Sequence, residues 1–596
     1  MLPNHPPLRG PRRSALALIT LLAHFSAYAE EPDKTLEPLI VSALKVPQEA
    51  STVTSAVTVL DPEELQNQGI LQLRDALNQA PGVISTSTGG QSGGVGSLFI
   101  RGTNTAYSQL VIDGMRLSDS TTPLGNMLSG SRTYDVGNIE VLRGPQATIY
   151  GGESIGGVLW METPHGTGDP HGSTTFEAGS FHSFAGNAIF QGMTKGTSYY
   201  LSGGYEETDN DGPNQQFHQA SAALRVEGAI NPVWSVGTTY RYLNSFINDH
   251  GNSDDHVDAA LSTVYATAKF SDRWTAHFLA GYQQELYDSD SKYGLYSTDM
   301  RSGSLSTDHE ITLAENVRLL AGAYAHDSAF QNSIGTDEDR SRYGAYTALV
   351  WEVIDHLTTT AALRWEDYDA FGDQTTWRVG SVYNLAATGT RFRGGVGTSF
   401  RSPSYLDLFG SSYGAGNLDL KAESSLGWDL GIEQKIGNHH TIEATWFQNQ
   451  ITDQIKSFPA PPVNVSGTTA TQGLELGLLG NWLDDVLSYR LAWTYLNKSL
   501  SDQPRNALTA SLDWKPTPKA LVGIGATHLS AHSWGGDPID AYTVARLYAS
   551  YQITDRVKLH ARLENAFDEN YQLSSFYGTT VQGAGTGLYA GITVDW

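Results

Sequence analysis

Cysteine is absent from the 596-residue chain, and Met occurs only 6 times. The first absence excludes a disulfide scaffold and thiolate metal or redox chemistry. Basic residues are also scarce, 37 Lys and Arg against 63 Asp and Glu, giving a formal charge of −26. A broad cationic face for nucleic acid is therefore excluded. No stretch approaches the ~20 consecutive apolar residues that a membrane-spanning helix needs. Lipid offers no partner to unpaired backbone groups, so a chain of this kind can cross a bilayer only as a closed β-barrel. The glycine-rich stretches lack the Gly-Lys-Ser/Thr of a phosphate-cradling loop, and no zinc-ligand helix motif is visible. No catalytic residue is assigned, no enzymatic activity is expected, and no cofactor is required.

Glycine (62), Tyr (29) and Trp (13) are plentiful, which suits twisted strands, tight turns and aromatic boundaries. From residue 165 to residue 596 period-2 segments recur between polar turns. Trp234, Val236, Thr238, Tyr240 and Tyr242 alternate with Ser235, Gly237, Thr239 and Arg241, and Leu588, Ala590, Ile592, Val594 and Trp596 alternate likewise at the end of the chain. One face suits lipid, the other a polar lumen, and aromatics at strand ends suit an interfacial girdle. A soluble β-sandwich would alternate similarly, but roughly 430 residues without a helical interruption fit a barrel better. At ~20 residues per strand and turn, that length predicts a 22-stranded transmembrane antiparallel β-barrel.

The chain before residue 165 reads differently. Arg9, Arg12 and Arg13 precede an apolar run and Ala27-Tyr28-Ala29, the pattern of a secretory leader over residues 1–29. Residues 30–35 are polar, as in a flexible tail. A strand is expected at 55–60, then a helix started by Asp61-Pro62-Glu63-Glu64, and a second helix at 71–79. Two loops rich in small residues, 89–97 and 118–130, flank a strand at 109–112 with a turn at Asp113-Gly114. Strands at 139–142 and 158–161 enclose Gly144, Gly151, Gly152, Gly156 and Gly157, a density that supplies positive φ and close backbone approach. Arg143 and Glu153, of opposite sign, edge these turns and could pair.

Residues 139–163, Ile-Glu-Val-Leu-Arg-Gly-Pro-Gln-Ala-Thr-Ile-Tyr-Gly-Gly-Glu-Ser-Ile-Gly-Gly-Val-Leu-Trp-Met-Glu-Thr, resemble the end of the plug domain of TonB-dependent outer-membrane receptors. Leu73-Arg74-Asp75-Ala76-Leu77 and Pro81-Gly82-Val83 are also typical of that plug. The resemblance implies a leader (1–29), a flexible segment (30–50), an α+β plug domain (51–164) inside the lumen, and a barrel (165–596). It implies a monomer in the bacterial outer membrane, surrounded by lipid, that imports a scarce ligand with energy transmitted by the TonB protein. Glu37, Pro38, Leu39, Ile40, Val41, Ser42 and Ala43 resemble the TonB box, an extended segment added as a strand to that partner. The first plug strand is the alternative reading of these residues.

Within the family, Phe99-Ile100-Arg101-Gly102-Thr103-Asn104, Gly397-Thr398-Ser399-Phe400-Arg401-Ser402-Pro403 and Asn565-Ala566-Phe567-Asp568-Glu569-Asn570-Tyr571 look most like cobalamin receptors. Cobalamin or a related corrinoid is the implied ligand, with a ferric siderophore or haem as the alternative. A passive porin-like channel or a surface-binding protein is the alternative of another class. By resemblance Gly93, Gly94, Val95, Gly96, Ser97, Ser118, Asp119 and Ser120 lie on the plug apices that meet ligand. Arg101, Arg143 and Glu153 are expected in plug–barrel or intraplug ion pairs. Asp209 and Asp211 resemble part of a calcium loop, although Leu243 stands where a further acid is expected, and a solvated turn is the alternative.

Overall fold

The computed structural model describes residues 39–596 apart from 88–90, 95, 118–121, 213, 250–252, 292–293, 370, 412–413, 458–460, 484, 501–502, 535 and 577–578. Twenty-two antiparallel strands, from His171–Gly179 to Gly587–Asp595, close into one barrel. The seam pairs Ser173 with Asp595, so the first and last strands of the barrel are neighbours. The expected barrel and its strand number are both present.

Alternation decides which side chains face outward. Val236 and Tyr240 are exposed, whereas Thr239 and Arg241 are buried against the interior. At one rim the connections are short, as between Thr194 and Thr197 or between Thr554 and Val557. The longest connections all lie at the other rim, as between Arg401 and Glu423 or between Glu564 and Gly587. Short turns mark the periplasmic side of such barrels and long loops the extracellular side. Trp274, Trp351, Trp482, Trp514 and Trp596 are exposed near the short-turn rim and form the interfacial girdle there.

The plug fills the lumen. Its five-stranded sheet runs Ala56–Leu60, Asn138–Arg143, Gly157–Glu162, Ser108–Ile112, Met115–Arg116, with only Ser108–Ile112 and Gly157–Glu162 parallel. A separate hairpin pairs Val83–Ser87 with Gly96–Ile100. Leu65, Leu73, Leu77, Leu98, Leu128 and Ile139 pack into one core between sheet, hairpin and helices. The helix Pro62–Asn67 starts as its sequence dictates, with Asp61 accepting from the Glu63 N–H and Pro62 in the first turn.

Two expectations need correction. The stretch 118–130 is not all loop, because Thr122–Gly130 is a helix whose Leu128 is buried in the plug core. The second helix is shorter than 71–79 and spans Leu73–Leu77.

Candidate functional site

The interior polar chemistry is concentrated where plug meets wall. Arg101, in the left-handed region at φ 53°, donates through Nε to Glu475 Oε1 at 2.7 Å and through Nη1 to Asp429 Oδ2 at 2.8 Å. Its guanidinium also stacks over the Phe447 ring at 4.9 Å. Arg143 is fully buried and reaches the same Glu475 at 3.2 Å, Glu443 at 3.4 Å, and the Pro81 carbonyl at 2.7 Å. Two plug arginines therefore share one wall glutamate. Gly82 makes this possible: a Cβ there would lie 2.0 Å from Glu475 Oε1. The Pro81-Gly82 turn is thus shaped by the carboxylate it admits.

Glu153 belongs to a second cluster. It pairs with Arg116 at 2.9 Å and with Arg342 at 3.4 Å, and accepts from Ser402 Oγ at 2.6 Å. Glu366 joins Arg116 to Arg364. Arg143 and Glu153 do not pair with each other. Each finds its main partners on other segments, because the glycine-dense turn lies flush against the wall: a Cβ on Gly151 would meet Arg116 and Glu366. In both clusters the charges are hydrogen-bonded as well as paired, the condition for burying them at tolerable cost.

At the periplasmic rim the segment expected to be flexible is folded back from residue 39 onward. Leu39–Ile40 pairs with Gln48–Glu49, and Ile40, Ser42 and Ala43 are buried. The Glu140 carboxylate, wholly buried, accepts from Val41 N at 3.1 Å, from Ser42 N at 2.8 Å, and from the Ser42 hydroxyl. The Tyr150 hydroxyl donates to the Ser42 carbonyl. Lys45 pairs with Asp308 on the wall at 3.5 Å and lies over the Tyr346 ring at 5.3 Å. Burial pushes the Lys45 ammonium below its ordinary pKa, although Asp308 opposes the shift. Glu37 and Pro38 lie outside the described residues.

At the extracellular side Gly93, at φ 82°, is packed against Phe217, since a Cβ there would lie 2.1 Å from that ring. The Gly94 carbonyl accepts from Ser129. Gly96 and Ser97 belong to the hairpin strand, while Val95, Ser118, Asp119 and Ser120 lie outside the described residues. Gly93 therefore allows close packing of plug on wall, whereas Gly94 and Gly96 pack within the plug. Ser92 N donates to Asn210 Oδ1 at 3.1 Å and Gln91 exchanges two hydrogen bonds with the backbone of Asp211. Asp209 is bonded to His182, and Asp211 Oδ2 accepts from Gly585 N at 2.8 Å. The two carboxylates thus engage separate partners, and no group of three metal-ligating side chains occurs among the described residues. Leu243 faces inward against Gly130.

Sequence reading did not single out Asp429, Glu475, Glu443, Arg116, Glu366 or Glu140. The available signal was charge at inward-facing positions of alternating strands, as in Thr471, Gly473, Glu475 and Gly477.

Comparison with known proteins decides the family. A model described as "TonB dependent receptor-like, beta-barrel" matches residues 161–566, and one described as "TonB-dependent Receptor Plug Domain" matches residues 49–158. The chain belongs to the TonB-dependent receptor family. It is similar to the vitamin B12 transporter BtuB of Vibrio vulnificus, at 25% identity over 98% of both chains. It is also similar to BtuB of Photobacterium profundum, at 23% identity over 94% of this chain and 96% of that one. In fold it matches a point mutant of the ferric enterobactin receptor PfeA of Pseudomonas aeruginosa in complex with enterobactin, TM-score 0.78 and 16% identity, over 91% of this chain and 100% of that one. The siderophore receptor PirA of Acinetobacter baumannii gives TM-score 0.79 and 16% identity, covering 92% of this chain and 99% of that one. This TonB-dependent receptor is an outer-membrane protein, and its family is one of receptors and transporters.

Proposed function

We propose that this TonB-dependent receptor binds a scarce, large ligand at its extracellular mouth and imports it to the periplasm, with force applied by TonB at residues 37–43. The supporting observation is a lumen filled by a plug that is held to the wall through buried ion pairs, with residues 39–49 folded against that plug at the periplasmic rim. Passage requires the plug to move, and the docked segment is the place to pull. Ligand binding must favour one plug state over another to alter the accessibility of this segment. Cobalamin or a related corrinoid is the first ligand reading, supported by whole-length similarity to BtuB proteins. A ferric siderophore or haem is the second, with siderophore receptors among the proteins of like fold.

Deletion of residues 37–43 should abolish energised uptake while ligand binding in detergent persists. Normal uptake by the deletion variant would replace this reading with a passive channel. Calorimetric titration with cyanocobalamin, with and without calcium, tests the corrinoid and the ion at Asp209 and Asp211 together.

A further inference from the structure

The last strand of the barrel, Gly587–Asp595, lies between Val557–Glu564 on one side and the first barrel strand, His171–Gly179, on the other. On the lumen face two charges meet across it. Arg562 donates to both carboxylate oxygens of Glu177, through Nη2 at 2.7 Å and through Nε at 3.2 Å. His560 Nε2 lies 3.4 Å from the same carboxylate. Arg562 also reaches Glu564 at 2.9 Å, and Arg546 pairs with that second carboxylate at 2.8 Å. Glu177 is buried and stands 385 residues from Arg562, so their bond exists only in a closed barrel. Arg101 and Arg143 tie plug to wall; Arg562 ties the two ends of the wall to each other.

The strands beneath are notched to let these groups pass. In one row of lumen-facing positions His560, Gly591 and Glu177 stand side by side, and in the next Arg562, Tyr589 and Gly179. A Cβ on Gly591 would run into the His560 imidazole, and one on Gly179 into the Tyr589 ring, over which the Arg562 guanidinium stacks at 4.0 Å. The same fit recurs on the lipid face at Gly172, where a Cβ would run into the Trp596 indole. That indole stacks on Phe190 at 5.9 Å and donates from Nε1 to Thr174 Oγ1 at 3.3 Å. A slip of one residue at the seam would turn every side chain of the slipped strand to the other face. A slip of two keeps the faces but takes Tyr589 away from Gly179 and Trp596 away from Gly172. Until the seam closes, both of its strands are edges able to pair with another chain.

We propose that Glu177 sets the register in which the barrel closes. Its bond to Arg562 and His560 across the last strand selects the one alignment in which all three glycine notches are filled, and it holds the seam against pairing with the edge of a second copy. A buried ion pair is a weak source of stability, but it is well suited to fixing register. A misaligned edge leaves each buried charge without its partner, and removing a partner from such a pair is strongly destabilising.

The test uses the mature protein, which has no cysteine of its own, carrying Thr175→Cys and Thr593→Cys. The two hydroxyls are 2.9 Å apart across the closed seam. The protein is refolded from urea into detergent and oxidised, and non-reducing gels separate the intrachain disulfide from disulfide-linked dimers. The intrachain product should dominate in this parent. In Glu177→Gln the ratio of intrachain product to dimer should fall by roughly tenfold or more, and Arg562→Gln, which breaks the same bond from the other side, should lower it likewise. Glu423 is wholly buried and pairs with Arg401 at 2.7 Å on strands remote from the seam. Glu423→Gln should therefore leave the ratio at the parent value. An unchanged ratio in Glu177→Gln and Arg562→Gln, or an equal fall in Glu423→Gln, would overturn the proposal. Where neither glutamine variant at the seam refolds, Arg562→Lys decides, because it keeps the charge and loses the two-point bond. A ratio below the parent's supports the assignment, and a parent-like ratio overturns it.

Discussion

Replacing Glu140 by alanine should release residues 39–49 from the plug. The carboxylate accepts from two backbone N–H groups, Val41 at 3.1 Å and Ser42 at 2.8 Å, and from the Ser42 hydroxyl. A hydrogen bond to a charged acceptor contributes ~1.5–3 kcal/mol net. Taking the lower value for the two backbone bonds alone gives ~3 kcal/mol, about a hundredfold change in the ratio of docked to released segment. The Ile40, Ala43 and Val53 contacts remain and oppose complete release. The chain has no cysteine, so Leu39→Cys takes a single spin label without background. In the parent protein the label should be immobilised, and in Glu140→Ala a mobile component should dominate. Glu140→Gln keeps one acceptor oxygen and should fall between the two. An unchanged line shape in Glu140→Ala, with the barrel intact by circular dichroism, would refute the assignment of Glu140 as the clasp.

Arg143→Ala leaves Glu475 with one partner fewer in a buried site, a loss of about 3–5 kcal/mol when one member of a buried pair is removed. Raised conductance in planar bilayers is the expected result, and unchanged conductance would count against a locking role. Docking of residues 39–49 should also strengthen as pH rises. Lys45 has a lowered pKa when docked and an ordinary one near 10.5 when released. Between those two values only the released form holds the proton, so release takes up a proton and is disfavoured by rising pH. The mobile fraction of a Leu39→Cys label should accordingly fall as pH increases through that window. Calcium titration of the purified protein should give no heat, because Asp209 and Asp211 are already engaged by His182 and by Gly585 N. Saturable heat that disappears in Asp209→Ala would reverse that expectation.

The barrel was legible because its determinant is local. The alternation of Val236 and Tyr240 with Thr239 and Arg241 states which face is which, residue by residue. The helix start at Asp61-Pro62 was legible for the same reason. What escaped was anything settled by distant partners. Arg143 and Glu153 stand close in sequence and have opposite charge, yet Glu475 is 332 residues from Arg143 and takes that role. The helix Thr122–Gly130 was hidden by Pro123, Gly125 and Ser129, residues with poor helical preference that the packing of Leu128 overrides. Folding of residues 39–49 onto the plug was open only as the alternative reading of residues 37–43 as a plug strand, since Glu140 in the sequence reads only as a charge inside a strand. The site was therefore legible as a set of plug charges but not as a set of pairs.

The dependence of Arg101 and Arg143 on Glu475 has a consequence for how the protein is made. The wall carboxylate is supplied 374 residues after Arg101, and the barrel closes only when Ser173 meets Asp595. Until residues 429–475 have left the inner membrane, Arg101 and Arg143 have no wall carboxylate to bury against. They must stay in water, so the plug should reach its final packing late, with or after closure of the wall. Contacts of such sequence separation are slow to form. During its transit the exported chain must therefore be held unaggregated with its plug incomplete, and a chain truncated before residue 475 should leave that domain accessible to periplasmic protease.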